Sequence, residues 1–192
     1  MKLFKNLVLI LTLATVIVTS TSCNKDKDEP QKELSDSEKT EMLMGIWKVV
    51  EANGTNKETI HYKDASKQDS ITNTTYIGKD FVNAHTTFTR DSIKGKGTAT
   101  FIITTTINNG TEEVKESVVD FDIFGASPWH VEDNALIYRL PGNDKDDIIT
   151  IKELTESKLI LEMVDTDYNT DHNDNNIENQ YANKATITYK KQ

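Results

Sequence analysis

Thr98-Ala99-Thr100-Phe101-Ile102-Ile103-Thr104-Thr105-Thr106-Ile107, the stretch Asn108-Asn109-Gly110, and then Val114–Phe124 decide how this chain is read. Ala99, Phe101, Ile103 and Ile107 fall on one face of an extended chain, and the other face is mostly threonine. A strand sends successive side chains to opposite sides, so this alternation predicts a half-buried strand. Asn109-Gly110 predicts a type I′ turn, because both residues tolerate positive φ. In the returning strand Val119, Phe121 and Ile123 share a face, with Asp120 and Asp122 opposite. An antiparallel hairpin follows.

Working outward, the same period recurs. Trp129–Glu132, the turn Asp133-Asn134 and Ala135–Leu140 form one pair, with Leu136, Tyr138 and Leu140 aligned; Pro141-Gly142-Asn143-Asp144 breaks the run. Asp147–Leu154 and Lys158–Val164 form another, with Leu159, Leu161 and Met163 inward. Asp165–Asn183 is a loop by composition, and Ala185–Tyr189 is the last strand, with Ile187 and Tyr189 inward. On the other side lie strands at Ile46–Ala52 and Phe81–Thr89, separated by a polar stretch, Asn53–Asp80, with no sustained period. Ser35-Asp36-Ser37-Glu38 offers N-caps with early acids, so Ser37–Met44 is a short helix, ended by Gly45. Eight or nine short antiparallel strands define an all-β chain. An up-and-down antiparallel β-barrel of about eight strands is preferred to a sandwich, since closure alone removes sheet edges.

Charge and cysteine content narrow the function classes. The chain has 31 acidic and 22 basic residues, a formal charge of −9. Such a chain is a poor partner for nucleic acid or for anionic lipid headgroups. One cysteine, Cys23, allows neither an intramolecular disulfide nor a cysteine-based zinc site. The core must rest on burial alone.

Cys23 also marks the first boundary. Lys2 and Lys5 precede the apolar run Leu7–Val18, which is too short for a spanning helix of about 20 residues and suits a cleaved leader. Small residues, Thr19-Ser20-Thr21-Ser22, lead into Cys23. This resembles a bacterial lipoprotein signal of the relaxed Bacteroidetes kind, with Ser20 where the common box has leucine. The resemblance implies cleavage before Cys23, acylation there, and no need for a transmembrane helix; the alternative is a secreted protein cleaved nearby. Losing Lys2 and Lys5 with the leader would take the charge from −9 to −11. The acids in Asn24-Lys25-Asp26-Lys27-Asp28-Glu29 resemble the export signal that sends such lipoproteins to the outer face of the outer membrane. The expected organisation is a leader at 1–22, a lipidated tether at 23–40 and a domain at 41–192.

Gly45-Ile46-Trp47-Lys48 resembles the Gly-x-Trp signature that opens the lipocalin barrel. Trp129–Leu136, followed by Ile149–Glu162 with its Leu-Thr-x-x-x-Leu-x-Leu hairpin, resembles the lipocalin-like lipoproteins of Bacteroidetes. The resemblance implies a barrel with a structural Gly45 and a Trp47 that plugs one end. In that family an arginine of the last strand often covers the tryptophan; here the chain ends Lys190-Lys191-Gln192, so that partner is absent or replaced by lysine.

Catalytic signals are lacking. His61, His85, His130 and His172 are scattered, and no nucleophile motif or phosphate loop occurs. Asp165, Asp167, Asn169 and Asp171 give a weak calcium-loop candidate, but Thr170 and Asn176 stand where glycine and a bidentate glutamate are required. The sequence therefore predicts a non-enzymatic envelope protein with no cofactor, anchored to the membrane through Cys23. Its barrel would hold a small apolar or amphipathic ligand, or be filled while the acidic surface or loops bind another envelope protein.

Overall fold

A computed structural model describes residues 33–64, 66–170 and 177–192, side chains 167–170 excepted. The leader, Cys23 and the tether as far as residue 32 lie outside the described residues; the last part of the expected tether, 36–40, is helix. Leu34–Gln192 is one compact unit with its own buried core.

The helix α1 spans Asp36–Leu43. Ser35 caps it reciprocally: its hydroxyl accepts from the Glu38 amide at 3.3 Å, and the Glu38 carboxylate accepts from the Ser35 amide at 2.8 Å. Asp36 and Glu38 sit against the positive end of the helix dipole. Lys39 is buried, and its ammonium donates to the Asp133 carbonyl. Gly45, at φ +116°, turns the chain from the helix into the first strand.

Nine strands follow: β1 Gly45–Tyr62, β2 Ser70–Phe88, β3 Ile93–Ile107, β4 Glu112–Asp120, β5 Trp129–Glu132, β6 Ala135–Tyr138, β7 Asp147–Leu154, β8 Lys158–Thr170 and β9 Ile177–Lys191. All neighbours are antiparallel, in the order β4-β3-β2-β1-β9-β8-β7-β6-β5. The all-β, up-and-down reading holds. The closed barrel does not, because β4 and β5 do not pair and the sheet stays open between them.

The break has a local cause. Beyond Asp120 the chain passes through two successive left-handed residues, Gly125 (φ +55°) and Ala126 (φ +60°), which turn it out of the ladder, and Pro128 lacks an amide to donate. One bridge survives, Ile93 with Ser127, whose amides donate to each other's carbonyls at 2.8 and 3.1 Å. Nearby, the Trp129 indole donates to the Thr89 carbonyl at 2.8 Å and meets Phe88 edge-on at 5.1 Å. Side chains thus seal one end of the curl where the ladder is missing.

Three further expectations are corrected. The polar stretch Asn53–Asp80 is mostly strand: β1 runs to Tyr62 and β2 starts at Ser70. The described residues of Asp165–Asn183 are likewise strand, since β8 continues to Thr170 and β9 begins at Ile177. The I′ turn lies one residue earlier than expected. Asn108 and Asn109 carry the positive φ angles, and the Gly110 amide donates to the Ile107 carbonyl at 2.8 Å.

Gly97 fixes another irregular point. At φ +94° it passes so close to the β2 bulge that a β-carbon there would lie 2.3 Å from the Asn83 carbonyl oxygen.

Candidate ligand cavity

Inside the curl the sealed end is packed solid. Trp47, Phe88, Phe124, Leu136, Leu159 and Tyr189 are all essentially buried there. Trp47 donates its indole N–H to the Leu43 carbonyl at 2.7 Å, which ties the last turn of α1 to β1. Gly45 and Trp47 thus stand side by side under the helix. The Lys191 ammonium lies 5.1 Å from the centroid of the Trp47 ring and donates to the Met42 carbonyl at 2.6 Å. The lysine occupies the place over the ring that the sequence comparison left open.

Toward the other end the sheet outgrows its cover. β7 pairs with β8 only over Thr150–Leu154 and Leu159–Glu162, so β8 beyond Glu162 has no partner on that side. The long strands curl around a space that β5, β6 and β7 do not fill. A cavity of about 510 Å³ results.

Cross-strand register explains its walls. One inner row reads Ile103, Tyr76, Gly54, Ala185, Met163, each residue opposite the next on the neighbouring strand. Phe101, Phe121 and Ile187 line the cavity below that row. The next row outward reads Thr105, Thr74, Asn56, Asn183, Asp165. Rows on one face lie two residues apart, about 6.6 Å, so the wall passes from apolar to polar in a single step. Asn56 donates to the Asn183 side chain at 2.6 Å, and the Thr74 and Thr105 hydroxyls lie 3.4 Å apart. Gly54 lets the strands approach closely: a β-carbon there would come within 3.1 Å of the Lys184 carbonyl oxygen, a tight contact.

Charge on the two faces is kept apart. Lys184, next to Asn183, is held by Glu162 at 2.8 Å, and this pairing lowers the Glu162 carboxyl below its ordinary value, with Lys152 assisting from 3.5 Å. Deep in the packed end, burial pushes the Tyr189 phenol far up, the Thr86 hydroxyl bond opposing it slightly. Burial, with the nearby Asp147 carboxylate, also raises Tyr138.

The calcium candidate takes a different form from a metal loop. Asp165, Asp167 and Asn169 lie along extended β8 and not in a loop, and the side chains of Asp167 and Asn169 lie outside the described residues. Asp171 lies outside the described residues. No group of three metal-binding side chains occurs among the described residues.

No protein-family profile and no curated protein matches this chain. Among solved structures, the S-type phycobiliprotein lyase from Guillardia theta aligns at TM-score 0.28 and 12% identity, over 85% of this chain and 99% of the lyase. A likeness that distant assigns no activity here. The matched structure is a lyase, and the expectation of a non-enzymatic protein is withdrawn, because missing catalytic motifs in a sequence exclude no enzyme.

Proposed function

We propose that this chain is a lipid-anchored, lipocalin-like protein of the cell envelope that holds a small apolar or amphipathic ligand in its curled sheet. The cavity carries the reading. Its 510 Å³ fall within the roughly 300–1,000 Å³ usual for small-molecule sites, and its floor is aromatic and aliphatic. An apolar ligand of that size would make dispersion contacts with this lining over most of its surface.

The anchor rests on the leader and Cys23, whose acyl chains would each contribute about 0.8 kcal/mol per buried CH₂. No helix among the described residues is long and apolar enough to cross a membrane. The acids after Cys23 support an outer-membrane location facing outward. A second reading, docking of another envelope protein, is favoured by the free edge of β4, where Val114 and Val118 are 60% and 69% exposed.

Both halves of the proposal are testable. Cells fed a clickable fatty acid should label the protein and hold it in the membrane fraction, and Cys23→Ser should abolish both. Label that survives in the variant would remove the anchor. For the cavity, an environment-sensitive apolar dye should bind saturably with one site per chain; a linear, unsaturable response would count against it.

A further inference from the structure

The cavity's polar collar is one-sided in charge. Its charged lining residues are Asp120, Asp165 and Lys184. Lys184 is not available to a ligand, because its ammonium is engaged by Glu162, which two lysines share. Asp165 is exposed and makes no hydrogen bond or ion pair among the described residues. It shares its row with the Asn56 and Asn183 amides, and Glu113 on β4 falls on the same row. Glu58 lies one row further out, beside Thr72 and Tyr181. Lys115, the inner-row cation, and Glu113 both sit on the free edge strand, and neither they nor Glu58 line the cavity, which leaves Asp165 as the inward charge of the collar.

A carboxylate head seated at this collar would face Asp165, with no free cation among the described lining residues to offset it. An ammonium head would meet Asp165 directly, with two amides beside it. We propose that the cavity takes an amphiphile with a cationic head: its apolar chain lies on Phe101, Phe121 and Ile187, and its head lies at Asn56, Asn183 and Asp165. This rests on the reading of the cavity as a ligand site.

Three probes of equal chain length separate the outcomes. The chain from Asn24, which contains the whole compact unit, is titrated calorimetrically at low salt with dodecyltrimethylammonium, monolauroylglycerol and dodecanoate, each below its micelle concentration. The ammonium probe should bind about tenfold more tightly than the neutral one, with dodecanoate weaker still, as one nearby partly solvated charge allows. Asp165→Asn should bring the ammonium probe to within about twofold of the neutral probe, since the charge term is removed. Dodecanoate binding as tightly as the ammonium, or a preference that survives Asp165→Asn, would overturn the inference. Neutral binding without charge preference sinks the head assignment alone; no binding by any probe sinks it together with the cavity reading.

Discussion

Lys191 and Trp47 join the two ends of the domain: the ammonium of the penultimate residue lies over the indole of the strand that opens the sheet, 5.1 Å from its centroid. The same ammonium donates to the Met42 carbonyl at 2.6 Å, at the negative end of α1. One cation therefore bonds helix, first strand and last strand together. A side chain that only packed could not do both.

Lys191→Met should destabilise the domain by about 1–3 kcal/mol, from the lost cation–π contact and charged hydrogen bond. Lys191→Arg should retain most of the stability. Urea unfolding of the three proteins checks this, and an unchanged midpoint in Lys191→Met would contradict it.

Gly97→Ala should cost about 1–3 kcal/mol from its φ of +94° alone, and more from contact with the Asn83 carbonyl. Gly142→Ala, with open space around its site, is the control that carries only the conformational cost. Thermal unfolding should show the larger loss at Gly97.

Tyr189 predicts an alkaline limb. Its buried phenol ionises far above the ordinary value of 10.0, so the unfolded chain releases this proton first. The stability it contributes is complete below pH 10 and falls as pH rises beyond that. Tyr189→Phe should flatten the alkaline fall in a pH series of unfolding free energies. An identical limb in the variant would contradict the assignment.

Glu162 predicts the opposite limb. Its carboxyl titrates below its usual 4.5 because of Lys184 and then Lys152. The stability it contributes is present above that value and is lost as pH falls through the depressed one. Glu162→Gln should reduce the acid dependence and its sensitivity to salt.

The strands that were legible in the sequence are those with an apolar inner face. β5 and β7 are found at their expected bounds, and β3 and β4 within five residues, because Ala99, Phe101, Val131 and Ile149 announce an inward side. The outer halves of β1, β2, β8 and β9 were not legible for the same reason. Their inward residues, Asn56, Thr74, Asn183 and Asp165, face the collar and not a core, so no hydrophobic period marks them. Ladder hydrogen bonds to neighbouring strands, on both sides for β1, β2 and β9 and on one for β8, hold such segments extended, and composition carries no sign of those partners. The collar was therefore missed along with the strands that build it. The open seam depends on two positive φ angles, and Ala126 gives no warning of its own. Trp47 was read from its Gly-x-Trp context; its lysine cover lies at the far end of the chain, where only the fold brings it close.

The central claim is that the cavity between the long strands holds a ligand, and native mass spectrometry of the chain from Asn24 tests it most directly. After exposure to lipid and metabolite extract from the source cells, the protein should carry a discrete adduct that denaturation releases. Ala185→Phe, which places a ring in the apolar row, should remove it. A bare protein mass at every extract concentration, or an adduct equally abundant in the variant, would contradict the account.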